Sequence, residues 1–140
     1  MTAEPARFPY QPGGDIRNDS ALPYLQLRLQ HQQRVVDRLG LVDSGATVNV
    51  LPYSVGLQLG AIWEQQRVEI ALAGNLAAVP ARGLLLSATI AHLAPVRLAF
   101  AWTYSDEVPL LLGQMNFFQE YEVCFYQAEG MFAIRPRHSG

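Results

Sequence analysis

The stretch Leu39-Gly40-Leu41-Val42-Asp43-Ser44-Gly45-Ala46-Thr47-Val48-Asn49-Val50-Leu51-Pro52 reads as strand, tight turn and strand, with one carboxylate at the joint. A carboxylate at the end of an apolar strand loses hydration at high cost unless donors hold it. Gly45 lets the backbone turn sharply and bring its amides toward Asp43, and Ser44 adds a short hydroxyl. An Asx-type turn between strand and loop accounts for the tripeptide by itself. What lies around it decides whether the carboxylate also has work to do.

Upstream, Leu25, Leu27 and Leu29 alternate with Gln26, Arg28 and Gln30, the pattern of a half-buried strand, and His31-Gln32-Gln33 marks its turn. Val35, Val36, Leu39, Leu41 and Val42 then carry the chain to Asp43. Downstream, Pro52 suits the first position of a short helix, Val55 and Leu59 share one face, and Gly60 ends it. Val68, Ile70 and Leu72 alternate into a Gly74-Asn75 turn with a return strand over Leu76–Val79, and Pro80 belongs at a sheet edge. LLLSATI and VRLAFAW form strands around the turn AHLAP. After a loop with Ser105, Asp106 and Glu107, Leu110-Leu111-Leu112-Gly113 leads into a second short helix around Gln114–Tyr121. EVCFYQ and MFAIRP form a closing hairpin that turns at Glu129-Gly130. The sum is a mainly β fold.

The first 22 residues hold Pro5, Pro9, Pro12 and Gly13-Gly14 and read as an N-terminal arm, with one domain over 23–137. The chain has 140 residues, half of them hydrophobic and 16 % charged, enough for a core and too apolar for disorder. A net charge of −2 gives no reason to expect nucleic acid or an anionic membrane as partner. All ten bases are Arg, which excludes a Lys Schiff base and a phosphate-loop Lys. The single Cys124 excludes an intrachain disulfide and a multi-Cys zinc site; its place in an alternating strand predicts a small buried hydrophobe. Gly83–Trp102 has the length of a membrane span, but His92, Pro95 and Arg97 interrupt it, and a hairpin accounts for it better. No apolar leader precedes the domain, so a cytoplasmic location is expected.

His31, His92 and His138 are scattered without ligand spacing, so no metal is expected. Ser44 lacks the nucleophile elbow of a serine hydrolase. Trp63 and Trp102 read as core or interface residues. Of the other aspartates, Asp15 and Asp19 fall in the arm, Asp37 in a turn and Asp106 in a loop. None is followed by Ser/Thr-Gly.

The segment DSGATVNVLP, a short helix ending in Leu-Gly, the hairpin VEIALAGNLAAVPARG, two further strands and PLLLGQMNFF together resemble the retropepsin-like aspartic proteases. These are single-lobed relatives of the pepsins, including retroviral proteases and small bacterial proteins. The resemblance runs from about Leu25 to Phe125. It implies a closed acid-protease β-barrel with two short helices and a flap hairpin. It also implies an aspartic endopeptidase that hydrolyses peptide bonds with water activated between two Asp43 carboxylates. One motif per chain then requires a homodimer. Ser44, Gly45, Ala46, Thr47, Leu112, Gly113 and Gln114 would support the site, with Ser44 bonding across the dimer axis. Ala73, Gly74, Asn75 and Leu76 would close over a peptide or protein substrate; an ordinary surface turn is the plainer reading of that hairpin. No cofactor is implied. The C-terminal strand MFAIRP would build the dimer interface.

Three positions depart from the family pattern, the first being Ser44, where Thr is commoner. Many retroviral members pair an acid two residues after the motif's Gly with an Arg after the later Gly; Thr47 and Gln114 stand there, both neutral. Losing both charges together is nearly neutral in energy and suggests an uncharged hydrogen bond instead. The rival readings are a catalytically inactive member of the same fold that binds peptides or dimerises, and an unrelated β-barrel with an apolar ligand. The last has no use for a carboxylate at a strand end.

Overall fold

The computed structural model describes residues 4–13 and 20–137. Nine strands and two short helices follow in order: β1 (Ala6–Pro9), β2 (Tyr24–His31), β3 (Arg34–Val42), β4 (Asn49–Leu51), α1 (Tyr53–Gln58), β5 (Ala81–Thr89), β6 (Val96–Thr103), β7 (Leu111–Leu112), α2 (Phe117–Glu120), β8 (Tyr121–Tyr126) and β9 (Met131–Pro136). Six of them close a barrel in the order β2-β3-β7-β4-β6-β5, and β1-β9-β8 form a separate three-stranded sheet.

Alternation builds the barrel wall. Leu25, Leu27 and Leu29 of β2 are buried, and their polar neighbours face out. β3 runs antiparallel to β2 from an exposed start to a buried end, so its last residues, Leu41 and Val42, deliver the chain to Asp43 inside the fold. Two parallel pairings then cross the barrel: Leu41 and Val42 lie beside Leu111 and Leu112, and Asn49–Leu51 beside Phe100–Trp102. β5 and β6 form the long hairpin expected from LLLSATI and VRLAFAW, and β5 closes the ring on β2. No helix among the described residues is long and apolar enough to cross a membrane.

The core gathers Leu25, Leu27, Leu29, Phe100, Trp102, Leu112 and Phe117 from the barrel side, and Phe132 and Ile134 from β9. Trp102 donates its indole N–H to the Tyr53 carbonyl (3.0 Å), and Gly56 of α1 lies so close to the indole that any β-carbon would collide with it. The short helix therefore seats on the tryptophan face. Buried Thr103 donates to the Leu51 carbonyl at 2.8 Å.

Several expectations need correction. Ala6–Pro9 of the N-terminal segment is a paired strand, not a loose arm: it lies antiparallel to Met131–Ile134, and Ala6 is buried. Asp15, Asp19 and His138 lie outside the described residues. Asp37 stands within β3 rather than in a turn, bonded to Arg28 across the strand pair at 2.9 Å. That guanidinium holds the Asp37 carboxyl below its usual range. The second helix is confined to Phe117–Glu120. Cys124 is exposed. Tyr121 and Val123 pack toward the core, so Cys124 takes the opposite face of β8, which no layer of the described chain covers.

Candidate functional site

Asp43 sits where β3 ends. Its N–H donates to the Leu112 carbonyl (3.0 Å), its carbonyl accepts from the Ala46 N–H (3.1 Å), and its Oδ1 accepts from the Gly45 N–H (2.9 Å). The Asx turn is thus real. It also orients the carboxylate.

The loop after Asp43 is laced to the step after β7. The Gln114 N–H donates to the Ala46 carbonyl and the Met115 N–H to the Thr47 carbonyl, each at 2.9 Å. The Gln114 side chain donates through Nε2 to the Ser44 carbonyl at 2.6 Å. An uncharged bond does link these two segments, with the Ser44 main chain as acceptor. Gly113 lies against this loop: a β-carbon there would stand 2.5 Å from the Val48 carbonyl oxygen and 2.8 Å from that of Ala46. Only glycine allows so close an approach.

Two residues that the sequence reading passed over hold the step in place. Asn49 is fully buried; its Oδ1 accepts from the Gly113 N–H (2.8 Å), and its Nδ2 donates to the Ala99 carbonyl (2.9 Å) and to Asn116 Oδ1 (3.3 Å). Asn116 in turn accepts from the Ala99 N–H and donates to the Arg97 carbonyl. The available signal was one amide residue inside the apolar run Val48–Leu51, where only satisfied polar groups persist.

Facing Asp43 is a cleft of about 270 Å³. Its floor is Asp43, Gly45, Ala46 and Thr47; its walls are Val48, Val50 and Leu111; its cover is Leu72, Ala73, Gly74, Asn75 and Leu76. The structure therefore brings the four proposed flap residues over Asp43. Ser44, Leu112, Gly113 and Gln114 do not line it; Leu112 and Gly113 are buried, and Ser44 and Gln114 are exposed. Among the described residues Asp43 is the only charged one lining the cleft.

The cover is built differently from the expected hairpin. The Ile70 N–H donates to Ala81 and the Gly83 N–H to Val68, so the return strand is β5 and not Leu76–Val79. Gly74–Leu76 form a single 3-10 turn, with Gly74 at φ +64°. Pro80 explains the difference, because it offers no N–H to extend the ladder toward the tip. Apolar packing holds the excursion instead: Leu72 is buried, and Leu76 and Val79 rest on the cluster of Val50, Ala81, Ala101 and Val108. At its base the Arg82 guanidinium lies 4.6 Å from the Trp63 ring centroid and donates to the Trp63 carbonyl at 2.8 Å.

Among the described residues no group of three or more His, Cys, Asp or Glu side chains is placed to hold a metal ion. What the cleft offers is one oriented carboxylate, an apolar surround and a cover. That can polarise a water or bind a main-chain amide.

No family model matches the sequence, and no curated protein matches it. The fold is similar to a solved retropepsin-like aspartic protease from Rickettsia conorii, with a TM-score of 0.61 and 13 % identity over 97 % of this chain and 96 % of that one. The chain thus has the retropepsin-like fold.

Proposed function

We propose that the protein is an aspartic endopeptidase whose centre forms when two chains each contribute Asp43. The observation that carries this reading is the placement of Asp43: held by the Gly45 amide on the floor of an apolar cleft, beneath a cover tipped by Gly74. Two carboxylates brought together cannot both ionise cheaply and share one proton. The ionised member takes a proton from a water, which attacks the peptide carbonyl. The protonated member hydrogen-bonds the carbonyl oxygen as the tetrahedral intermediate forms. The pair of shared-proton aspartates in aspartic proteases is a known case of this effect. Val48, Val50, Leu72, Leu76 and Leu111 keep the surround apolar, which strengthens each of these interactions. Ser44, with its main chain tied to Gln114, would sit at the contact between chains.

The test is a digest of a peptide library at several acidic pH values, with wild type beside Asp43→Asn. Cleavage should be greatest below neutral pH, fade as both carboxylates ionise, and vanish in a folded Asp43→Asn protein. Cleavage by the mutant at the wild-type rate removes Asp43 from the mechanism. Peptide that binds the cleft uncut by either protein identifies a non-catalytic peptide-binding module.

A further inference from the structure

We propose that the outer wall of the barrel holds a second binding site, a notch along β5 at Leu85 that takes the C-terminal end of a peptide whose last residues are apolar. The site does not depend on the reading of Asp43, and none of its lining residues lines the Asp43 cleft.

The outer edge of β5 is covered from both ends but not in the middle. The Gly83 N–H points away from β6 and donates to the Val68 carbonyl at 2.8 Å. Main-chain groups alternate sides along a strand, so those of Leu85 and Ser87 face the same way as those of Gly83. β2 takes up β5 again at Ser87, opposite Gln30. Between these two points Leu85 has no main-chain partner on this side among the described residues. Its N–H and C=O lie open, as they would on an edge strand. The opening is short, since Gly83 to Ser87 spans about 13 Å of strand. Val68 closes one end and Gln30 the other. A strand that runs on in both directions does not fit there, whereas a chain end does.

The surrounding groove has a volume of about 840 Å³, against about 270 Å³ for the Asp43 cleft. Its lining selects the ligand's chemistry. Leu85 and Val68 are 54 % and 66 % exposed and offer an apolar contact. Arg97 stands opposite Ser87 on β6, is exposed, and makes no ion pair among the described residues. His31 is the other basic side chain, and neither Asp nor Glu lines the groove. Gln30 donates to the Gln32 carbonyl and Gln66 to that of Ile62, which fixes two neutral amide groups in the lining. A terminal carboxylate satisfies this set. It accepts from the Leu85 N–H and the Arg97 guanidinium, while the last side chains lie on Leu85 and Val68. An acidic side chain in mid-peptide brings the charge but not the end that the notch requires.

The test measures fluorescence anisotropy with hexapeptides that carry fluorescein at the amino end and finish in Val-Leu. The Asp43→Asn protein is used at neutral pH, so that no peptide is cut. The free acid should bind about tenfold or more tighter than its C-terminal amide, because the charge-assisted bonds go with the carboxylate. Arg97→Gln and Leu85→Glu, made in the same protein, should each weaken the free acid by about tenfold, and Arg7→Gln on β1 should leave it unchanged. Binding should protect the Leu85 amide from exchange and leave residues 43–47 and 72–76 as they were. If either groove variant does not fold, the acid-to-amide ratio and the exchange pattern of the Asp43→Asn protein decide. Equal binding of acid and amide, or no binding at millimolar peptide, overturns the proposal. So does protection confined to 43–47 and 72–76, which places the peptide in the other cleft. An amidated peptide with an internal Glu that binds as well as the free acid overturns it too, in favour of a side-chain carboxylate.

Discussion

The two sheets treat their edges in opposite ways. The barrel closes on itself, so each of its strands has a partner on both sides, and its one buried amide network is satisfied within the chain. The β1-β9-β8 sheet stays open, shows Phe125 and Tyr126 on its last strand, and leaves the buried Tyr121 hydroxyl without a partner among the described residues. The barrel is thus the finished half of the molecule and carries the candidate site. The outer sheet is the open half. Changes in the barrel should therefore cost folding energy and deform the Asp43 loop, whereas a change at Tyr121 of the outer sheet should stabilise.

Gly113→Ala is the severest way to break that contrast. The new β-carbon meets two backbone carbonyls, which cannot turn aside as a flexible side chain can. A loss of about 3 kcal/mol or more is expected in urea melts, with peptide cleavage lost as well. A variant of wild-type stability would show that the packing of the two segments is loose. Asn49→Ala comes next. It strands the buried Gly113 N–H, frees the part-buried Ala99 carbonyl and should cost about 2 kcal/mol. Cleavage by the folded fraction should fall too, because the step behind Asp43 loses its tether.

Tyr121→Phe, in the outer sheet, should go the other way and gain about 1 kcal/mol at neutral pH, since it removes a buried hydroxyl that has no partner. The same hydroxyl gives an alkaline signature. Burial, with Glu120 nearby as the lesser cause, pushes the Tyr121 pKa up to about 12 from an ordinary 10.0. The folded state holds the proton more tightly than the unfolded chain. That contribution is complete below pH 10 and is lost as pH rises toward 12. Tyr53 is raised as well, through burial first and Tyr104 second, and its effect has the same sign. Subtracting the Tyr121→Phe melts from those of wild type isolates the Tyr121 part. Equal alkaline slopes in the two proteins would mean that the hydroxyl is hydrated.

These contrasts also mark what the sequence made legible. Alternation in Leu25–Leu29, the breakers between β5 and β6, and Asp43-Ser44-Gly45 with Leu112-Gly113 are local patterns, and the structure has them where they were read. Failures came where a distant partner decides. Ala6–Pro9 looks like an arm because of its prolines and becomes a strand because β9, more than a hundred residues away, takes it up. Cys124 obeys the alternation, but on the face that lacks a covering layer. The cover over the cleft is governed by where Pro80 stops the ladder, which alternation alone does not register. Asn49 looks like an interruption until Gly113 is seen to need its oxygen.

The parallel pairings carry a consequence for how the molecule comes into being. Leu41 and Val42 meet Leu111 and Leu112, and Asn49–Leu51 meet Phe100–Trp102, so both pairings join segments about fifty to seventy residues apart. Closing loops of that size costs entropy before any contact repays it, and chains dominated by such pairings fold on the order of milliseconds to seconds. Asp43 cannot make its bond to Leu112 until the chain has been made past β7. A nascent chain that ends before β7 carries the aspartate but not its setting. Synthesis itself thus delays the site until β7 has emerged.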